Sequence, residues 1–196
     1  LQLERDKPDV LYQLAWVEAR LGQAEAARKL MEQALDAAPA DVGIRVDLAA
    51  LYREAGQLQL ARGALAQGMT LGGDEAILQQ ELGRLLWEAG DGVRALAQFE
   101  RALAADSDLH LVYRYMGLIH SAAGRSEAAL AAFTELVARR PTDAAARVNI
   151  GIVHSRMGDL AAAEAAFKEP GVVARLLLRA KVNAVQCVHG SVNSAR

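Results

Sequence analysis

Gly22, Gly56, Gly90, Gly124 and Gly158 stand 34 residues apart, with no insertion between any two of them. A fixed period of that length marks a chain that stacks small similar repeats, because a fold organised around one central core imposes no such spacing. Other residues keep the same phase. Seven positions before each glycine is a small residue: Ala15, Ala49, Gly83, Gly117 and Gly151. One position earlier is a larger apolar one: Leu14, Leu48, Leu82, Met116 and Ile150. Five positions after the glycine comes Ala27, Ala61, Ala95, Ala129 or Ala163, and nine after it Met31, Leu65, Phe99, Phe133 or Phe167. Pro39, Gly73, Ser107 and Pro141 close the first four repeats.

Each position has a physical reason. A glycine between two helical stretches takes the left-handed conformation that ends the first helix. Asp91, Ser126 and Asp159, just beyond their glycines, are predicted to cap the second helix. The small residues let two antiparallel helices approach closely, and the bulky residue is predicted to fill the gap where the next repeat arrives. Pro141 cannot continue a helix and sets the turn into the following repeat.

With its Leu-Gly or Leu-Ala pair, turn glycine, alanine, phenylalanine and terminal proline, the chain resembles the tetratricopeptide repeat (TPR) family. Five motif-bearing repeats in unbroken register carry that resemblance. With the glycine at repeat position 15, the array covers 8–169 as 8–41, 42–75, 76–109, 110–143 and 144–169. The resemblance implies an all-α fold: a right-handed α-solenoid of about five helix-turn-helix repeats, with an irregular C-terminal helix after it. Position 4, often Trp in the family, holds Leu11, Arg45, Gln79, Tyr113 and Arg147. Position 11, often Tyr, holds Tyr52 only once, with Glu18, Leu86, His120 and His154 elsewhere. These departures are expected to alter packing detail and not the fold.

Hydrophobic residues make up 53% of the chain and aromatics only 5%, which suits thin, closely packed helix layers. A net charge of −2 supplies no electrostatic reason to expect nucleic acid, and a helical repeat that reads RNA would need recurring basic and base-reading positions. No stretch of 18 apolar, uncharged residues forms a membrane span. The chain has no Gly-rich phosphate loop, HExxH, CxxC, GxSxG or EF-hand spacing, so no catalytic residue, metal ligand or cofactor is expected. His120 and His154 share one repeat position and are read as packing residues, since no Cys or paired carboxylate repeats beside them. His110, His189 and the lone Cys187 belong to no constellation.

The ends depart from the pattern. Leu1–Lys7 (LQLERDK) reads as the tail of a preceding second helix, from a chain that began earlier. A leader peptide would also lie upstream, which leaves cytoplasm and periplasm both open. Pro170 falls inside the last second helix, and no acidic residue follows Glu169, while Arg175, Arg179, Lys181 and Arg196 do. Three readings of this basic segment, 170–196, stand side by side: a capping helix over the last repeat, sequence unrelated to the array, or a basic amphipathic anchor.

The resemblance also implies a binding surface. In TPR arrays the first helices line the concave face through repeat positions 2, 5, 6, 9, 12 and 13. Carried onto this sequence, those positions include Tyr12, Trp16 and Arg20, then Arg53, then Arg84 and Trp87, then Arg114 and Tyr115, then Asn149 and Arg156. Both tryptophans fall in the set, and Trp, Tyr and Arg dominate binding hot spots; the alternative is that the tryptophans plug seams between repeats. Arg84 and Arg114 are candidate clamps for a carboxylate or phosphate. Tyr12, Trp16, Asp47, Ile77 and Glu81 occupy the positions where chaperone-binding members grip a C-terminal carboxylate, which argues against that ligand. The expected function is an interaction scaffold holding a protein or peptide segment in the concave groove. The alternative is the non-catalytic arm of a larger glycosyltransferase- or sulfotransferase-type enzyme, or of a secretion, pilus or exopolysaccharide assembly machine. Partner identity and oligomeric state are not readable.

Overall fold

The computed structural model describes residues 7–168. These form ten helices and, among the described residues, no strand. The helices are α1 (Pro8–Arg20), α2 (Ala24–Ala37), α3 (Val42–Glu54), α4 (Leu58–Thr70), α5 (Glu75–Glu88), α6 (Gly92–Ala105), α7 (His110–Ala122), α8 (Ser126–Arg139), α9 (Ala144–Arg156) and α10 (Leu160–Lys168). They pair as antiparallel hairpins, and the fold is an all-α TPR solenoid. The chain divides into two compact bodies, Leu1–Leu109 and His110–Arg196. The predicted helix after Pro170 lies outside the described residues.

Local chemistry fixes the helix ends. All five periodic glycines have φ between 71° and 85°. At the first, the Gly22 amide donates to the Ala19 carbonyl at 3.0 Å and the Gln23 amide to that of Glu18 at 2.9 Å, the double bond that satisfies orphan carbonyls at a helix end. At the other end, Asp41, Asp74, Asp91 and Asp143 each accept from an amide three residues on: Ile44, Ile77, Arg94 and Ala146. Asp159 does the same for Ala162. Ser126 does not cap, contrary to the sequence expectation. It is the first helical residue of α8, and the cap position is held by Arg125, which makes no side-chain capping bond. The capping position is the one directly after the glycine, and Ser126 stands one too far.

Packing inside a hairpin rests on matched sizes. A Cβ built on Gly83 would lie 2.6 Å from the ring of Phe99; on Gly117 it would lie 2.5 Å from Phe133, and on Gly151 2.5 Å from Phe167. Where the small residue is alanine, the partner is not aromatic: Ala15 shares a core with Met31, and Ala49 with Leu65. The bulky residue therefore covers its own hairpin's small residue. In the N-terminal body it also meets the next repeat, as Met31 packs with Ile44 and Leu48, and Leu65 with Leu78 and Leu85. In the C-terminal body, Phe133 and Ala129 pack with Val153 of the following hairpin. Full burial of one such side chain stabilises by roughly 1.5–3 kcal/mol.

Arg45 is the exception in this apolar setting. Only 5% exposed, it donates from Nε to the Pro39 carbonyl at 2.8 Å, and from Nη1 to Gln67 Oε1 at 3.2 Å and the Ala64 carbonyl at 3.5 Å. Burial depresses its pKa. The cation thus ties the turn after α2 to the end of α4, using carbonyls that a Trp at the same repeat position could not satisfy.

Candidate functional site

The sequence-derived surface residues sit on the first helices of the hairpins, and each body is described on its own. In the N-terminal body, Tyr12, Trp16 and Arg20 are one turn apart along α1 and so share one helix face. Trp16 is 48% exposed, and Arg20 is exposed. At repeat position 9, α1, α3 and α5 present Trp16, Ala50 and Arg84, so the smallest side chain falls between an indole and a guanidinium. Beside it a narrow crevice of about 10 Å³ separates α3 from α5, bordered by Ala50, Arg53, Glu81 and Arg84. Trp87 stands on the last turn of α5, half-buried.

Polar bonds join successive first helices at an offset of 35 residues. Tyr12 donates its hydroxyl proton to Asp47 Oδ2 at 2.6 Å. That bond to a carboxylate, with burial and the Asp47 charge, pushes the phenol pKa up to about 12. Arg53 donates from Nη1 to Glu88 Oε2 at 2.9 Å, and its Nη2 lies 3.5 Å from Glu54. Within α5, Arg84 donates from Nε to Glu81 Oε2 at 2.8 Å and pairs with the same carboxylate through Nη2.

The C-terminal body repeats the scheme. Arg156 donates from Nη1 to Ser121 Oγ at 3.0 Å, again 35 residues away. Arg114 donates to Asp143 Oδ2 at 2.5 Å, the carboxylate that also caps α9. Burial alone would raise the Asp143 pKa, but the Ala146 amide and the Arg114 guanidinium outweigh it and hold the carboxyl below its usual range. Tyr115 and Asn149 are half-buried on α7 and α9.

Arg84 and Arg114, expected as clamps for a ligand anion, therefore each hold a carboxylate of this chain. The sequence reading placed Asp47 on this surface, but the pairing of Tyr12 with Asp47, of Arg53 with Glu88 and of Arg114 with Asp143 escaped it. For Asp47 and Glu88 the signal was present, because a donor and an acceptor 35 residues apart fall at neighbouring positions of adjacent first helices. His120 and His154 are half-buried, with His154 Nδ1 3.7 Å from Asp159 Oδ2. Among the described residues no three His, Cys, Asp or Glu side chains cluster in a way that would hold a metal ion. None of the described helices is long and apolar enough to cross a membrane. A further cleft of about 460 Å³ lies between α2 and α4 over a floor that includes Arg45 and Tyr52 of α3, and none of the sequence-derived surface residues lines it.

Antiparallel helix hairpins stacked at a 34-residue period, with polar side chains on the first helices, define a helical-repeat protein. The chain belongs to the tetratricopeptide repeat family, whose models match residues 18–82, 81–101 and 116–169. No curated protein matches the chain. Among solved structures, MamA (41-end) of Desulfovibrio magneticus RS-1 is 18% identical, covering 83% of this chain and 92% of that one, with a TM-score of 0.69. YrrB, described as a TPR protein with an unusual peptide-binding site, is 16% identical over 91% of this chain and 94% of its own, with a TM-score of 0.64. Pseudomonas aeruginosa pilF is 15% identical over 82% of this chain and 73% of its own, with a TM-score of 0.72. At these identities the likeness is one of fold.

Proposed function

We propose that this chain is a protein-interaction scaffold that holds a polypeptide segment on the first-helix face of its repeats. The observation that carries the reading is Trp16. A large indole held half-exposed on a regular helix, in one column with Tyr12 and Arg20, is the kind of rigid anchor around which binding hot spots form. YrrB, a protein of this fold, has a peptide-binding site. The ligand chemistry follows from the internal pairing. Since Arg53, Arg84 and Arg114 already hold carboxylates, the surface offers mixed polar groups around an aromatic, and not a concentrated charge. Such a surface suits an uncharged or mixed-charge segment with one apolar side chain seated against Trp16. The role is one of binding and not of catalysis.

The test is selection from a peptide-display library against the wild-type chain, followed by binding measurements on a Trp16→Ala, Trp87→Ala double variant with unchanged far-UV circular dichroism. Selected peptides are expected to lose at least about tenfold in affinity, the scale of one hot-spot residue. Undiminished binding to the variant would overturn the assignment of this face.

A further inference from the structure

The cleft between the second helices α2 and α4 has an apolar centre, made by Leu35, Leu48, Leu60 and Ala64. Leu60 is 52% exposed there. Gly63 lines the same cleft from inside α4, and nothing in the fold accounts for it. It is not in the left-handed region, and a Cβ built on it would meet no atom within 4 Å. Gly68 on the same helix is different, because a Cβ there would lie 3.0 Å from Leu78. Glycine is the poorest interior helix residue after proline. The other hairpins hold Lys29, Ala97, Ala131 and Ala165 at this repeat position. Gly63 thus weakens α4 and leaves the cleft wide.

The rim on α2 is acidic. Glu32 and Asp36 stand one turn apart, both exposed, where like charges repel. The next hairpin has Ala66 and Thr70 at their positions, so the pair is no part of the repeating framework. Tyr52 donates to Glu32 Oε1 at 2.5 Å, which holds that carboxylate at the cleft with its second oxygen to spare. The Asp36 carboxylate has no hydrogen-bond or ion-pair partner among the described residues. The neighbouring cations are engaged elsewhere: Arg45 by the Pro39 carbonyl and Gln67, Arg28 by Glu25 and Gln57.

We infer that this cleft is a second binding site, which takes a polypeptide segment of a partner protein carrying an apolar side chain beside a lysine or arginine. The apolar side chain enters over Leu48 beside Gly63, and the cation meets Glu32 and Asp36, a complementarity that selects the partner. With most of its rim exposed, the cleft cannot enclose a small molecule as ligand pockets do. A second copy of a chain with net charge −2 would bring no surplus of cations.

The test selects peptides from a random display library on the Trp16→Ala, Trp87→Ala variant, so its outcome does not depend on the first-helix face. Recovered peptides are expected to pair a basic with an apolar residue and to bind the wild-type chain equally well. Gly63→Leu, which fills the cleft, should weaken them at least about tenfold, and Asp36→Lys should weaken them while sparing peptides that need Trp16. Gly63→Ala should raise the unfolding midpoint, because the methyl meets open space and alanine favours the helix. Recovery of no peptide, of peptides without a basic residue, or of peptides indifferent to Gly63→Leu overturns the inference. So does a lower midpoint for Gly63→Ala, since the glycine would then serve the fold. Self-association that Gly63→Leu abolishes overturns it as well, by giving the cleft to a second copy.

Discussion

Gly117 has no side chain because the ring of Phe133 occupies that space. Two effects oppose each other when a methyl is added. Alanine is favoured over glycine inside a helix by about 1 kcal/mol, while forcing an atom into a filled core costs about 1–3 kcal/mol. At 2.5 Å the contact is too short to relax without moving the ring, so steric cost wins. Gly117→Ala is expected to lower the unfolding free energy by up to about 2 kcal/mol net of the propensity gain. Adding Phe133→Leu, which recreates the Ala49–Leu65 pairing, should recover most of that loss, so chemical denaturation of the two single variants and the double will show a favourable coupling of about 1 kcal/mol or more. Purely additive losses would mean that the two residues do not share the space. The sequence showed the small and bulky positions at this scale, and it placed Arg45 at a packing position but not its partners. Only the fold reveals the Pro39 and Ala64 carbonyls that accept its hydrogen bonds.

Between elements, the bond from Tyr12 on α1 to Asp47 on α3 makes stability depend on alkaline pH. The folded phenol titrates near 12, whereas an unfolded tyrosine does so near 10. A pKa raised by folding contributes stability that is fully present below the unfolded value and is lost as pH rises through the folded one. Tyr12→Phe is therefore expected to be less stable than wild type at neutral pH, by about 1 kcal/mol for one hydrogen bond. The difference between the two thermal midpoints should shrink between pH 10 and 12. Tyr52, whose pKa is also raised to about 12, by burial and its bond to Glu32, is present in both proteins and cancels. A difference constant from pH 8 to 12 would exclude the assigned bond. Helix ends were legible in the sequence wherever backbone geometry dictated the residue, as at Gly22 or Asp91. The groove partners were less so. Arg53 has Glu54 beside it in sequence and Glu88 across the groove, and the rotamer that reaches Glu88 at 2.9 Å is decided only by the stacking of α3 on α5.

For the molecule as a whole, the 34-residue period fixed the class of fold because every repeat obeys it. The period does not reveal the division into two bodies, since it runs through residue 109 without a break. The N-terminal body has its own clusters, Ala15–Met31–Leu48 and Ala49–Leu65–Leu85, each shared between successive hairpins. In such arrays stability is close to a sum over repeats and their nearest-neighbour interfaces. Residues 1–109 made alone are therefore expected to be helical by circular dichroism and to melt cooperatively, and a non-cooperative melt would show that these clusters do not suffice. The matched pairs inside the hairpins carry a further consequence, for how such a gene can change. A recombination event within a hairpin could join the Ala15 helix to the Phe99 helix, which clash, or the Gly83 helix to the Met31 helix, which leave a void. A crossover in the turn between hairpins keeps every pair intact. Duplication and shuffling that preserve this fold must then proceed in whole hairpins, with the viable breakpoints at turns such as that around Pro39.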